Sequence, residues 1–260
     1  RVADQPFFLH LAYHTVHTPI EGKPAVVEQY RNKIAPGDHH HNAGYAAMVH
    51  SLDENVGRLL KKLEELDLED NTLVIFTSDN GGFVNVHRGE QVTSNSPLRS
   101  GKGSLYEGGL RVPLMIRLPG VTSPGTVCDE PVLSMDLHPT VASLTGCEVA
   151  DHSEAFDGID VSSVLKDPAS SLEREAVFFH YPHYYPTTTP VSAVRRGPWK
   201  LLQYHEDGRT ELYQLEDDPG EQSDVTSAHP EVASQLQTQL TAWLDEVDAQ
   251  MPRPNPNFKQ

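Results

Sequence analysis

The 260-residue sequence predicts an α/β fold: a mixed, mostly parallel sheet sandwiched by helices, followed by a small C-terminal antiparallel sheet with one closing helix. Apolar runs at residues 7–11, 73–77 and 112–118 are typical of strands buried on both faces. Between Tyr45 and Leu63 the apolar residues recur at helical spacing, which indicates a long amphipathic helix. The later apolar segments are short and separated by turns, which is typical of antiparallel hairpins.

The run Leu73–Thr77 continues into Ser-Asp-Asn-Gly-Gly, with Asp79 and Asn80 where the strand is expected to end. In an open α/β sheet, ligands bind beyond the carboxyl ends of the strands. A carboxylate and an amide oxygen suit a hard cation such as Ca²⁺ or Mg²⁺. The alternative is an Asx turn, in which both side chains bond to their own backbone. The residues alone leave both interpretations open.

Histidines follow the first apolar run. His14 and His17 lie in a turn that a Thr-Pro pair completes. Three more, His39–His41, are consecutive, and because neighbouring side chains cannot all point the same way we favour a solvated loop over a metal site. Asn42, which follows them, is predicted to be the N-cap of the long helix.

The segment between residues 82 and 109 is rich in Gly, Ser and Asn and has little apolar periodicity. A long irregular segment inside a compact domain is usually functional. Lys102 lies between two glycines, which allow a ligand to approach the backbone closely, although a solvated lysine is the alternative. Tyr106 and Glu107 are predicted to brace this turn.

The chain changes character near residue 170, which predicts two domains, 1–170 and 171–260. In the first, Ser134 is predicted to cap a short helix that ends at Gly146. In the second, a closing helix is expected at residues 230–249. The strands predicted before that helix span residues 178–181, 192–195, 199–204 and 211–214.

The net charge of −17 repels nucleic acid and anionic membranes, so neither is an expected partner. No apolar run approaches the length of a membrane span. Two cysteines, Cys128 and Cys147, do not make a disulfide framework, and whether they form a single bridge stays open. The oligomeric state is not readable from these features.

Five motifs occur in an order and at a spacing that resemble the later half of a formylglycine-dependent sulfatase, an arylsulfatase-like member of the alkaline phosphatase superfamily. The motifs are FFLHLAYHTVHTPI, YAAMVHSLDENVGRLL, LVIFTSDNGG, PLRSGKGSLYEGGLRVPLMIRLPG and SMDLHPTVASLTG. The resemblance covers nearly the whole chain. It implies an alkaline phosphatase-like fold, with residues 1–170 as the later part of the catalytic α/β domain and residues 171–260 as the small C-terminal subdomain.

The resemblance also implies roles for individual residues. Asp79 and Asn80 correspond to metal ligands, usually for Ca²⁺, with Mg²⁺ as the other candidate. His17 and Lys102 correspond to catalytic residues that also bind the substrate. Two further substrate contacts are predicted, His87 and Arg99; the alternatives are a surface histidine and a structural ion pair.

One part of the family pattern has no counterpart here. Neither Cys128 nor Cys147 lies in the C/S-x-P-x-R motif that supplies the formylglycine, and no serine does either. We therefore expect the nucleophile and the two early acidic metal ligands to lie outside these residues, and residues 1–260 to be inactive alone.

By resemblance the expected function is sulfate ester hydrolysis in a periplasmic or secreted enzyme, on a sulfated small molecule or a sulfated glycan. The alternatives are a phosphodiester or phosphonate monoester hydrolase and a non-catalytic protein that binds sulfated glycans.

Overall fold

The computed structural model describes residues 5–147, 156–253 and 255–256. The chain divides into two compact units, each made of two segments: Arg1–Leu68 with Val84–Ser94, and Glu69–Phe83 with Asn95–Gln260. The helices are α1 Pro24–Arg31, α2 Ala43–Glu64, α3 Glu107–Leu110, α4 Leu137–Thr145, α5 Ser162–Lys166 and α6 Pro230–Glu246. The strands are β1 Val74–Thr77, β2 Val86–His87, β3 Glu90–Gln91, β4 Leu114–Arg117, β5 Val177–Tyr181, β6 Val191–Arg196, β7 Trp199–Tyr204 and β8 Thr210–Gln214.

In the first unit, α1 packs against α2. The predicted cap of α2 is confirmed, because the Asn42 side chain accepts a 2.9 Å hydrogen bond from the backbone N–H of Tyr45. Ala47 and Met48 on α2 are buried, and β2 and β3 form a short antiparallel hairpin. Among the described helices, none combines the length and the apolarity that a membrane crossing requires.

The strand predicted at residues 7–11 is wrong. This segment has no regular secondary structure, and Phe7, Phe8 and Leu9 are exposed. The backbone of a strand needs a neighbouring strand as its hydrogen-bond partner. None of the described strands pairs with this segment, so its apolar pattern is not realised as a strand here.

In the second unit, β1 and β4 pair antiparallel, with Val74 opposite Arg117 and Thr77 opposite Leu114. The strands predicted at 73–77 and 112–118 are therefore confirmed, in shortened form. Their expected burial on both faces is wrong: β1 is half-buried to exposed, because β4 is its sole partner among the described strands and its pleated faces are incompletely covered. Every strand pair among the described residues is antiparallel, so this part of the chain does not show the parallel pairing predicted for the larger sheet.

The four strands predicted for the C-terminal sheet are confirmed as an antiparallel meander, β5-β6-β7-β8. Leu201 and Leu202 on β7 are fully buried against opposite faces of the sheet, as the period of a strand requires. The Leu201 face packs on α6, where Leu236 and Leu240 are fully buried, each burial contributing about 1.5–3 kcal/mol.

The other face of this sheet packs on the segment that carries Leu105 and Tyr106. On the α6 side, Phe178 and Trp243 stack with ring centroids 4.9 Å apart. The small sheet therefore lies between the closing helix and the segment that follows Lys102. Through this second contact the sheet supports residues 101–104, called the Lys102 turn below.

The helix predicted from Ser134 exists as a 3₁₀ turn, Ser134–Asp136, followed by α4. The predicted cap is wrong: Ser134 is the first residue of the 3₁₀ turn, and Leu133 precedes it as the N-cap residue, with no side-chain capping bond. The Asp136 carboxylate accepts a 2.7 Å hydrogen bond from the N–H of Leu133, and Arg174 holds this carboxylate in place with an ion pair. The helix ends at Gly146 in the left-handed conformation, as predicted. Both cysteines are free thiols.

Candidate active site

The Asp-Asn pair lies immediately beyond β1, in the turn that leaves the strand. Asp79 is exposed and Asn80 is half-buried. The Asn80 amide nitrogen donates a 3.2 Å hydrogen bond to the carbonyl of Gly81, and the Ser78 hydroxyl donates to the Asn80 carbonyl at 3.1 Å. This local bonding uses the nitrogen of the Asn80 side chain, so it is compatible with a metal ligand role for the amide oxygen.

The two glycines after Asn80 connect this turn to the Lys102 turn. The carbonyl of Gly82 accepts hydrogen bonds from the backbone N–H of Lys102 and from the Asn95 side chain, each at 3.1 Å. The N–H of Gly82 donates to the Asn95 amide oxygen at 3.1 Å, and the N–H of Gly81 donates to the Gly109 carbonyl at 2.9 Å. The candidate metal ligands and Lys102 are thus joined through backbone and amide hydrogen bonds.

The backbone of the Lys102 turn is fixed on its other side as well. The Lys102 carbonyl accepts a 2.8 Å hydrogen bond from the Thr187 hydroxyl. Gly103 has a φ of +83°, and a Cβ there would lie 2.1 Å from the ring of Tyr185, so a side chain is excluded by both conformation and space. Lys102 itself is half-buried. The turn therefore presents the lysine from a rigid backbone.

Arg99 is held inside the second unit. Its guanidinium donates to the Tyr213 hydroxyl at 3.0 Å and to the Glu221 carbonyl at 2.9 Å, and it lies 3.9 Å from the centre of the Tyr106 ring. These contacts correspond to the structural alternative for this residue, although the partners are hydroxyl, carbonyl and ring rather than a carboxylate. Substrate binding by Arg99 stays a prediction.

His17 and His87 belong to the first unit. His17 is exposed, and its Nδ1 lies 2.9 Å from the Thr18 carbonyl. Because a carbonyl can only accept, this contact favours the tautomer with the proton on Nδ1. The Nε2 of His87 is buried and has no hydrogen-bond partner within the described part of the chain. The structure brings together Asp79, Asn80 and Lys102, whereas the two histidines lie in the other unit.

The side-chain oxygens of Asp79 and Asn80 are ligand types that a hard cation prefers. The Asp79 carboxylate is accessible, and oxygen ligands of this type suit Ca²⁺, which takes 6–8 of them. Within the described residues, no three His, Cys, Asp or Glu side chains come together as a metal cluster. The turn therefore supplies part of a ligand set, and calcium binding stays a prediction.

A buried charged cluster beneath the Lys102 turn was only partly anticipated. Tyr106 and Glu107 brace the turn as predicted, but their partners were missed. Glu107 at the start of α3 pairs with Lys200 of β7, which also pairs with Glu221, and all three are buried. The available signal was a lysine within the apolar strand Trp199–Tyr204, since buried lysines are almost always paired.

Glu211 and Tyr204 hold the side chain of Tyr106 in place. The Tyr106 hydroxyl donates a hydrogen bond to the Glu211 carboxylate at 2.6 Å and accepts one from the Tyr204 hydroxyl at 2.8 Å. Burial, together with the hydrogen bond to Glu211, raises the pKa of Tyr106 well above its ordinary value. Tyr106 therefore stays a neutral donor, and the segment after Lys102 is tied to β7 and β8 at two points.

Comparison with known proteins places the chain in a family. The sulfatase family model matches residues 1–147, and a second model, N-sulphoglucosamine sulphohydrolase, C-terminal, matches residues 101–250. The chain belongs to the sulfatase family. This confirms the membership that the five motifs predicted.

Relatives of known name agree with this membership. A sulfatase of Formosa agariphila is 34% identical over 95% of this chain and 48% of its own length. Arylsulfatase A of Homo sapiens is 34% identical over 95% of this chain and 50% of its own length. The chain thus spans about half the length of the curated relatives it matches.

Solved structures confirm the alkaline phosphatase-like fold. Ps i-CgsB in complex with k-i-k-neocarrahexaose superposes with a TM-score of 0.79 and 30% identity, covering 93% of this chain and 51% of that one. A protein in complex with its substrate D-glucosamine-2-N,6-O-disulfate gives a TM-score of 0.65 and 26% identity, covering 82% and 42%. The phosphonate monoester hydrolase SpPMH of Silicibacter pomeroyi, at 0.56 and 24%, covers 79% and 40% and shares the fold alone.

Proposed function

We propose that this sulfatase-family chain is part of an enzyme that hydrolyses sulfate esters, and that Asp79, Asn80 and Lys102 form one side of its active site. The observation that carries the proposal is the hydrogen bond between the N–H of Lys102 and the carbonyl of Gly82, which ties a lysine turn to a turn with hard-cation donors. A sulfate ester is an anion, and the chain has a net charge of −17. Local positive charge is therefore needed to bind it.

In this proposal Lys102 neutralises charge on the non-bridging oxygens of the sulfuryl group as that charge grows in the transition state. Asp79 and Asn80 would hold the cation, Ca²⁺ or alternatively Mg²⁺, which when bound adds Lewis-acid stabilisation. The departing oxygen becomes an alkoxide or phenoxide and needs a proton. His17, with Nδ1 committed to the Thr18 carbonyl, would deliver that proton from Nε2.

The nucleophile is the remaining requirement. We place it outside residues 1–260, as a formylglycine made from a C/S-x-P-x-R motif, because neither cysteine of this chain lies in such a motif. Residues 1–260 alone are then expected to release no sulfate. The proposed substrate class is a sulfated glycan or a small sulfate ester, supported by the sulfated glucosamine bound to one structural relative. A periplasmic or secreted location is part of the same proposal.

The test is an assay of the full-length protein with 4-nitrophenyl sulfate and with sulfated oligosaccharides, with added Ca²⁺ and after treatment with EDTA. We expect sulfate release that EDTA suppresses and Ca²⁺ restores, and a loss of about 10²–10³-fold in kcat in the Lys102→Met variant. Lys166→Met, which removes an exposed lysine of α5, is the matched control and should retain activity. Cleavage of phosphonate monoesters without sulfate release would overturn the proposal.

A further inference from the structure

We propose that Lys200 is a positioning residue for the Lys102 turn: from β7 it locks Glu107 and Glu221 into one buried arrangement that fixes where Lys102 stands. This inference rests on the proposed function, in which Lys102 contacts the sulfuryl group. It assigns a role in the chemistry to the C-terminal sheet, whose residues do not themselves have to touch the substrate.

The three side chains form a buried set of contacts, in which Lys200 donates a hydrogen bond to Glu107 and pairs with Oε1 of Glu221 by charge, without a hydrogen bond of normal geometry. The Lys200 ammonium lies 2.9 Å from a carboxylate oxygen of Glu107 and 2.9 Å from one of Glu221. The other Glu221 oxygen accepts a 2.6 Å hydrogen bond from the backbone N–H of Glu107. Lys200 is 1% exposed, Glu107 4% and Glu221 0%, so water does not substitute for any of these contacts.

Two hydrogen bonds connect the neighbours of Glu107 to the turn. The N–H of Gly108 donates to the Arg99 carbonyl at 2.9 Å, before Lys102, and the N–H of Tyr106 donates to the Ser104 hydroxyl at 3.0 Å, after it. The N–H of Ser104 in turn donates to the Gly101 carbonyl at 3.1 Å, which closes the turn itself. A shift of Glu107 is therefore expected to displace the backbone on both sides of Lys102.

The backbone at Glu221 also contacts the segment before Lys102. The Glu221 carbonyl accepts a 2.9 Å hydrogen bond from the Arg99 guanidinium. Glu221 has a φ of +50°, a left-handed conformation that non-glycine residues rarely adopt. A Cβ on the preceding Gly220 would lie 2.8 Å from the carbonyl of Pro97. This segment and the one before Lys102 are thus packed backbone against backbone, with the Glu221 carboxylate directed to Lys200.

The charges favour a role in positioning over one in stability alone. Two carboxylates face one ammonium, and the guanidinium groups of Arg111 and Arg195 lie 3.8 and 4.0 Å from Glu107. Buried ion pairs contribute little net stability because desolvation opposes their attraction, but they admit few alternative geometries. Such a restricted cluster is suited to fixing the position of Lys102, because a displacement of a catalytic group by about 1 Å can lower the rate about 10²-fold.

The experiment compares Lys200→Met with Arg174→Met in the full-length protein. Arg174→Met removes another ion pair of this unit, with the fully buried carboxylate of Asp136, and serves as the matched control for lost stability. Two readouts are used: kcat and KM on 4-nitrophenyl sulfate, and the rate at which trypsin cuts the bond after Lys102. Trypsin needs the turn to open, so this second rate measures its rigidity without any catalysis.

We expect Lys200→Met to lower kcat by about 10²-fold and to accelerate cleavage after Lys102, whereas Arg174→Met lowers the melting temperature and changes neither readout comparably. If Lys200→Met does not fold, Glu107→Gln replaces it, since it keeps an acceptor for Lys200 but loses the charge. Normal kcat with a protected Lys102 bond in the folded variant would overturn the inference. If the parent protein releases no sulfate, the proposed function fails, and the trypsin comparison decides the positioning role by itself.

Discussion

Gly81 and Gly108 meet backbone to backbone: a Cβ built on Gly81 would lie 1.8 Å from the Gly108 carbonyl oxygen. The N–H of Gly81 also donates to the Gly109 carbonyl at 2.9 Å. The turn that carries Asp79 therefore approaches α3 more closely than any residue with a side chain allows. This approach is what requires glycine directly after the candidate metal ligands.

Replacing Gly81 by alanine should separate the two segments. We expect Gly81→Ala to destabilise the second unit by about 1–3 kcal/mol, the usual cost of overpacking, and to weaken both Ca²⁺ binding and activity. Gly57→Ala is the control, because nothing lies within 4 Å of a Cβ there and alanine should stabilise α2 by about 0.5–1 kcal/mol. Thermal melts of both variants provide the measurement, and an unchanged melting temperature for Gly81→Ala would contradict the contact.

Asp79→Asn tests the metal proposal with little change in shape. The variant keeps an oxygen ligand but loses the charge, so we expect Ca²⁺ affinity to fall at least about tenfold and sulfate release to fall with it. Asp245→Asn, at an exposed position of α6, removes the same charge and should leave both unchanged. Isothermal titration calorimetry of the full-length protein measures the affinity. Equal affinity in Asp79→Asn and the parent would refute the ligand assignment.

The role proposed for His17 predicts a dependence on the leaving group. Nitrophenolate departs without help, whereas an alcohol needs a proton as its bond to sulfur breaks. His17→Ala should therefore reduce kcat/KM by about 10²–10⁴-fold for alkyl or glycan sulfates and far less for 4-nitrophenyl sulfate. His41→Ala, in the exposed loop before α2, is the control. Equal losses on both substrates would count against proton donation.

Local patterns predicted α2, α4, α6 and the C-terminal meander, because their contacts are set largely by residues near in sequence, whereas the shorter helices α1, α3 and α5 were not predicted. The α2 helix and its Asn42 cap are examples. Asp79, Asn80 and Lys102 were identified for the same reason, since each lies in a short Gly-containing motif. The structure shows that the turns carrying the first two and Lys102 are joined by hydrogen bonds, and the chemical roles of the three residues stay predictions.

Contacts between distant residues were not predictable in this way. Lys200 lies 93 residues from Glu107 along the chain and Glu221 lies 114 residues away, and no local pattern identifies such partners. The segment 7–11 failed for a related reason, because a strand depends on its neighbour and not on its own composition alone. The cap predicted at Ser134 was wrong by one position, since Ser134 is itself the first residue of the turn and Leu133 is the N-cap residue.

Ser192 of β6 is fully buried between two histidines. Its hydroxyl oxygen lies 2.7 Å from Nδ1 of His180 and 2.8 Å from Nε2 of His205. A hydroxyl has one proton, so it donates to one ring and accepts from the other when both rings are neutral. Burial, reinforced by the charge of His180 when that ring is protonated, lowers the pKa of His205 below its ordinary value.

This lowered pKa predicts a loss of stability on acidification. His205 binds its proton more weakly in the folded chain than in the unfolded one, so its contribution is complete above the unfolded pKa of about 6.5 and is lost as pH falls through the folded pKa. We expect the melting temperature to fall more steeply between pH 8 and pH 5 in the parent than in His205→Gln, which keeps a partner for Ser192 but does not titrate. His183→Gln, at an exposed position, should retain the parental slope. If the melting temperature falls with pH equally in the parent and in His205→Gln, the titration of His205 does not contribute to stability.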